Sequence, residues 1–210
     1  MGFFMNDTIP NDANVENVYE IFENVFKFYG KCLRQSIKKL AKSKRSRRPS
    51  YYNYLLLDGR KLQPLIEKFR KMDGSVMVFS PEDRKLFIEA CFYAGKGKDG
   101  RKYKHFLKME GIVKCKKIRK ISDIWDSGHG VAIFQFQPDI DEFEALSREY
   151  ATIKALGLEH ITNKINGTCY GIMKEEWSCT EIVNFGNMMI NACMKNVLQN
   201  PPSYVYRDVL

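Results

Sequence analysis

The stretch "FYAGKGKDGRKYKH", residues 92–105, places Gly95, Gly97 and Gly100 as G-x-G-x-x-G and follows them with Arg101 and Lys102. A dinucleotide site needs that loop to open a helix packed on a parallel sheet. It also needs an acidic residue about 20 positions on to hold the ribose. Here the loop runs into "RKYKHFLK", and "KCKKIRK" stands where the acid belongs. A P-loop fails differently, because Lys102 occupies the place of the hydroxyl that would reach Mg²⁺. No nucleotide cofactor is expected. The stretch still suits phosphate. Glycines at 95 and 97 let backbone approach an anion, and Arg101 offers a planar fork matching two phosphate oxygens. Lys96, Lys98, Lys102 and Lys104 add charge around it. A phosphodiester backbone fits this set better than a mononucleotide.

Glu149 is the second residue with chemical promise. In "DEFEALSREYATIKAL" the apolar stripe reads Phe143, Leu146, Tyr150 and Ile153, which sets Glu149 on its flank. A carboxylate turned partly toward a core needs a partner. That partner is a basic side chain or a metal, since one carboxylate plus waters and a substrate phosphate is a usual way to hold Mg²⁺.

These residues must be positioned by regular elements. Residues 14–41 carry apolar side chains at three- and four-residue spacing and read as a helix. "YYNYLLLD" (51–58) reads as a buried strand that turns at Asp58-Gly59. Residues 60–72 look helical. Ser80-Pro81-Glu82-Asp83 starts a further helix that runs into the short strand "ACFYAG". A helix over 116–126 precedes a third strand in "GHGVAIFQFQ", and the helix over 141–156 stops at Gly157. "HITNKINGTCYG" is irregular. A capping box at Ser178–Glu181 opens a last helix, which Pro201-Pro202 stops.

The chain has 210 residues, 44% hydrophobic, with a net charge of +9. That suits one domain with extensions and a core of useful size. The charge favours a polyanionic partner. Between Tyr93 and Lys120 eleven Lys or Arg residues face only Asp99 and Glu110. A second basic tract covers 42–48 and reads as a solvated linker or as a nuclear-import or DNA-touching segment. No apolar run approaches the roughly 18 residues of a membrane span, and no secretory signal is visible. Membrane association is not expected, and an intracellular site, the nucleus on the strength of the tract, is. The six cysteines show no zinc-ligand spacing and read as reduced thiols.

The ordered set "YNYLLLD", "FYAGKG", Arg101, His105 and "REYATIKALGLEHITN" resembles GIY-YIG nucleases. The tripeptides appear as "YNY" (52–54) and "FYAG" (92–95). "IWDSGHGV" and "ALG…TN…G.CYG" make the chain most similar to the branch attached to LEM domains and ankyrin repeats in animal proteins. The resemblance covers about 51–171. Tyr52 replaces the first glycine and Ala94 the usual Ile or Val, and neither a LEM domain nor an ankyrin repeat is visible.

The resemblance implies an α/β (α+β) fold. A small three-stranded mixed or antiparallel sheet is flanked by helices, with extra helices at both termini. The implied division is an N-terminal helix and basic linker (1–50), a nuclease domain (51–172) and a C-terminal helical extension (173–210). It further implies metal-dependent hydrolysis of phosphodiesters in DNA, branched or otherwise structured DNA among them, with RNA left open. Glu149 would bind Mg²⁺ or Mn²⁺. Arg101 would neutralise transition-state charge, and Tyr93 would position the phosphate or water. Tyr54 would be the general base if nearby cations lower its pKa; Lys96 would do that or serve as base itself. His105 would bind phosphate or protonate the leaving group. Gly95, Gly97, Lys98, Lys102 and Lys104 would contact the nucleic acid, and Asn163 would tie the helix segment to the sheet. Two other classes stay open: a catalytically silent nucleic-acid-binding module, and an interaction protein or homodimer using the terminal helices.

Overall fold

A computed structural model describes residues 12–42, 50–70, 79–106 and 115–209. Most of the basic tract and residues 107–114 of the basic window lie outside that range. The elements run α1 (Asp12–Lys42), β1 (Tyr51–Asp58), α2 (Gly59–Arg70), α3 (Pro81–Ala90), β2 (Cys91–Lys98), α4 (Lys116–Asp126), β3 (Val131–Ile140), α5 (Glu142–Leu156), α6 (Ile172–Glu175), α7 (Cys179–Gln199) and β4 (Ser203–Val205). The fold is α+β. The expected three strands form one sheet, wholly antiparallel, and β4 adds a short fourth at its edge in the order β2-β1-β3-β4.

Local chemistry explains the boundaries. Ser80 caps α3 and Asp83 returns the bond to the Ser80 N–H; Ser178 and Glu181 do the same for α7. Gly157, at φ +80, ends α5. Leu55, Leu56 and Leu57 of β1 form an unbroken apolar run because the strand is an inner one covered on both faces.

Leu55, Leu57 and Ala94 face α2, α3, α5 and α7 in the larger core. Tyr52, Tyr54, Leu56 and Phe92 face Ile121, Ile124 and Trp125 of α4. α7 contributes Ile190, Cys193, Met194 and Val197 to the larger core. It lies so close to α5 that a Cβ at Gly186 would collide with the Ala151 carbonyl.

The buried face of α5 is broader than the stripe the sequence suggests and keeps Ile153 from it. Of that stripe Ile153 is buried and Phe143, Leu146 and Tyr150 only partly so, while Ala145, Arg148, Ala151, Thr152 and Leu156 are buried. Arg148 survives there because buried Glu144 accepts from its Nε and Nη2 at 3.0 and 2.8 Å. Arg34 of α1 reaches the same carboxylate at 3.2 Å. No described helix is long and apolar enough to cross a membrane.

Candidate active site

The site forms where β2, the edge strand, passes Tyr54 on its inner neighbour. Tyr54 pairs with Gly95, and Tyr52 with Gly97. A Cβ at Gly95 would stand 2.7 Å from the Tyr54 ring, and one at Gly97 2.6 Å from the Tyr52 ring. The two glycines therefore lie in a strand and make room for tyrosine rings, where the sequence suggested a loop shaped around an anion. The register shifts between Leu56 and Leu57, opposite Phe92. Phe92 and Tyr93 both lie on the α4 side in consequence, because a bulge re-aims the side chains that follow it.

His105 follows a 3₁₀ turn at Arg101–Tyr103. Its neighbour Phe106 is buried with its ring centroid 5.9 Å from that of Trp125, which anchors this segment to the lower core. The imidazole Nε2 comes to 2.6 Å from the Tyr54 hydroxyl. The rings of Tyr54, Tyr93 and His105 lie 5.1–6.0 Å apart, centroid to centroid.

The electrostatics correct one expectation. Burial, reinforced by Tyr93 and Glu149, pushes the Tyr54 phenol well above the ordinary tyrosine range, and Arg101 offsets only part of this. Tyr54 is thus a phenol at neutral pH, not a phenolate primed by cations. Burial also raises Tyr93. It lowers His105 to about 4, helped by Lys117 and Arg101, so the imidazole is neutral.

Lys96 is also placed differently from expectation. Alternation along β2 turns it to the opposite face, where Nζ pairs with Glu142 and lies 4.7 Å from the Tyr51 ring centroid. It neither touches Tyr54 nor perturbs it. On that face α5 meets the sheet through polar contacts. Asn53 Nδ2 donates to the Ala145 carbonyl at 2.9 Å, the carbonyl that in helical register also accepts the Glu149 N–H. Glu149 itself is largely buried. Burial raises its carboxyl to about 7, against the opposing pull of the Lys96 ammonium, the Lys96 backbone N–H and Arg101.

The open edge of β2 is closed by Asn163, which accepts from the Ala94 N–H at 3.1 Å and donates to the Ala94 carbonyl at 2.8 Å. Thr162 does the same at Phe92, where its N–H and hydroxyl both donate to the carbonyl. Glu149 and Arg101 both bear electrostatically on Tyr54 and Tyr93, and Arg101 on His105 as well.

The other basic residues surround this centre. Lys102 Nζ donates to Gln135 at 2.6 Å and packs near the Tyr52 and Tyr103 rings. Lys98 lies 5.7 Å from the Tyr51 ring centroid, and Lys104 is exposed. A residue the sequence did not single out is Lys117, whose ammonium lies 4.0 Å from the Tyr93 ring centroid. Nothing in the run "KCKKIRK" distinguishes it from its neighbours. Only the start of α4 and the facing strand do.

The donor set fits one kind of metal. Among the described residues no three His, Cys, Asp or Glu side chains cluster as a cage. One largely buried carboxylate whose ionised form is disfavoured suits a hard divalent cation that keeps waters and takes further oxygens from a substrate. Glu149 is the residue that would hold it.

The sequence model of the LEM-3-like GIY-YIG domain matches residues 51–209. "Ankyrin repeat and LEM domain-containing protein 1" of Homo sapiens is 35% identical over 134 residues, 59% of this chain and 21% of that protein. The Mus musculus protein of the same name is 33% identical over 130 residues, 59% of this chain and 23% of that protein. The Caenorhabditis elegans "Ankyrin repeat and LEM domain-containing protein 1 homolog" is 25% identical over 136 residues, 60% of this chain and 19% of that protein. The chain spans about a fifth of the length of these curated relatives. No solved structure matches it. With the family's match covering most of the chain, and an antiparallel α+β fold carrying both tripeptide strands side by side, the chain belongs to the LEM-3-like GIY-YIG domain family of nucleases.

Proposed function

We propose that the protein is a divalent-metal-dependent endonuclease that hydrolyses phosphodiester bonds in DNA, branched or otherwise structured DNA included. The observation that carries this reading is the Tyr54–His105 pair, whose hydroxyl and Nε2 lie 2.6 Å apart, with Glu149 and Arg101 both acting electrostatically on Tyr54. Glu149 holds Mg²⁺ or Mn²⁺. Bound there, the ion supplies Lewis-acid polarisation of the phosphoryl group and charge stabilisation at the leaving oxygen.

The chain's own residues do the rest. Arg101 lies against the reacting phosphate and neutralises the charge that builds on its oxygens. Tyr93 orients the phosphate or the attacking water. Tyr54 receives the water's proton as its own passes to His105 Nε2, in the tautomer with hydrogen on Nδ1. The pair thus acts as the base although neither member is one alone at neutral pH. An approaching phosphate favours the imidazolium, which helps His105 retain the proton. Lys96, drawn to Glu142, tunes Glu149 and is not the base. Lys98, Lys102 and Lys104 hold the strand on either side of the break. The basic tract at 42–48 directs the protein to the nucleus.

Cleavage of labelled duplex, flap and four-way-junction DNA, with Mg²⁺ and with EDTA, tests this. Wild type and Glu149→Gln run side by side at two salt concentrations. Metal-dependent cutting lost in the variant, with DNA binding intact, is the expected result. Cutting retained in Glu149→Gln would sink the assignment, and a wild type that binds but never cuts would make the domain a silent binding module.

A further inference from the structure

Lys117 stands in the first turn of α4, a turn with no acidic residue. Three unfavourable terms meet there. The helix dipole disfavours a cation at that end. The side chain is partly buried, and like charges lie close by. Burial is the main cause that depresses its ammonium to about 8; Cys115 pulls the other way, and Arg101 and Lys164 each add a smaller lowering. Among the described residues no carboxylate forms an ion pair with Lys117 or Lys164, whereas Arg101 is also attracted to Glu149. The Tyr93 ring, its centroid 4.0 Å from Nζ, fixes the head group and shields one side from water. The structure therefore holds a cation where the protein alone has little use for one.

We propose that Lys117, held on the face of Tyr93 at the start of α4, takes a backbone phosphate of the nucleic-acid substrate. This rests on the endonuclease reading above and extends it. Arg101 reaches both the Tyr54–His105 pair and Lys117 electrostatically. Arg101 is thus shared between the reacting phosphate and its neighbour, and Lys117 binds the neighbour. A phosphate there supplies the counter-charge that Lys117 lacks, so the affinity gained is larger than a freely solvated lysine provides.

The test is equilibrium binding of a fluorescent DNA duplex to the full chain in EDTA, followed across a NaCl titration. Wild type, Lys117→Met, Lys117→Arg and the distant surface variant Lys39→Met are compared. One phosphate contact contributes about 0.9 to the slope of log affinity against log salt. Lys117→Met is expected to lower the slope by about that amount and to weaken binding about fivefold or more at low salt. Lys117→Arg should keep the slope, and Lys39→Met should match wild type. Because Lys117→Met removes an uncompensated, partly buried charge, it should melt at or above the wild-type temperature, so weaker binding cannot be ascribed to unfolding.

Slope and affinity unchanged in Lys117→Met overturn the subsite. EDTA keeps the two proposals separate. A wild type that cuts DNA while Lys117→Met binds like wild type removes only the subsite, whereas a wild type that binds no DNA removes the endonuclease reading and the subsite with it.

Discussion

The Tyr54 hydroxyl and His105 Nε2 lie 2.6 Å apart, each held by a different core contact. Tyr54 is 1% exposed in the inner strand, and His105 hangs beside Phe106, which is anchored on Trp125. Two groups that are poor bases separately share one proton. Tyr54→Phe and His105→Ala should each lower single-turnover cleavage by about 10²–10⁴-fold. The double variant should fall little further than the worse single one, because the two act as a unit. Additive losses in that cycle would mean independent roles.

Glu149 gives a metal readout that needs no turnover. On the proposed reading, a divalent cation would add to the pull of Lys96 and Arg101 that already favours the ionised form of Glu149. Mg²⁺ or Mn²⁺ should raise the melting temperature of the wild type, by an amount equivalent to about 1.4 kcal/mol at ten times the dissociation constant. Glu149→Gln should show no such rise. A metal-induced shift of equal size in the variant would place the ion elsewhere.

Asp58 links the site to acid stability. It is buried at the end of β1 and bridges Arg60 at 2.7 Å and Lys120 of α4 at 2.8 Å. Burial pushes its carboxyl up, but the bonds from Arg60 and Lys120 outweigh this and bring it from 3.8 down to about 2. A depressed folded-state pKa gives stability that is present above 3.8 and lost as pH falls through 2. The coupling is worth roughly 2 kcal/mol. Urea unfolding of wild type and Asp58→Asn should show a gap of about 3 kcal/mol at pH 6. That gap should narrow by roughly 2 kcal/mol toward pH 2. A gap constant with pH would refute the linkage.

Most of the framework was legible because local chemistry and tertiary structure agree. Ser80 and Ser178 begin helices by capping them, Gly157 ends one, and the apolar run Leu55–Leu57 is covered on both faces. β4 was not legible: three residues after two prolines carry no periodic signal, and only pairing with Val131–Ile133 makes them a strand. Within the site, residue types were readable and directions less so. Lys96 could have been assigned to the opposite face by counting alternate residues from Tyr93. Lys117 could not, since its distinction lies in the fit of α4 over Tyr93 rather than in spacing. The glycines showed the limit of motif reading. Their spacing suggested phosphate, and the structure gives a steric reason in the rings of Tyr52 and Tyr54.

The final prediction concerns α1, which precedes the matched span at residue 51. Leu33 and Ile37 are buried against Phe185, Met173 and Ala151. Glu144 binds Arg34 across the interface and Arg148 within α5, and Arg148 is itself buried. Glu144→Gln leaves the Arg148 guanidinium in the core without its counter-charge. Removing one member of such a group costs about 3–5 kcal/mol, far more than an exposed pair. Arg34, half-exposed, should matter less, so Arg34→Ala should lose about 1 kcal/mol of charge interaction. A chain beginning at residue 50 keeps the whole family-matched span but uncovers the Phe185–Met189 cluster. It is expected to melt well below the full chain or to aggregate, and denaturant unfolding of both checks this. If the shortened chain unfolds at the same denaturant concentration, α1 is an appendage. If it fails while Glu144→Gln loses several kcal/mol, α1 is part of the unit that holds α5, and with it Glu149, against the sheet.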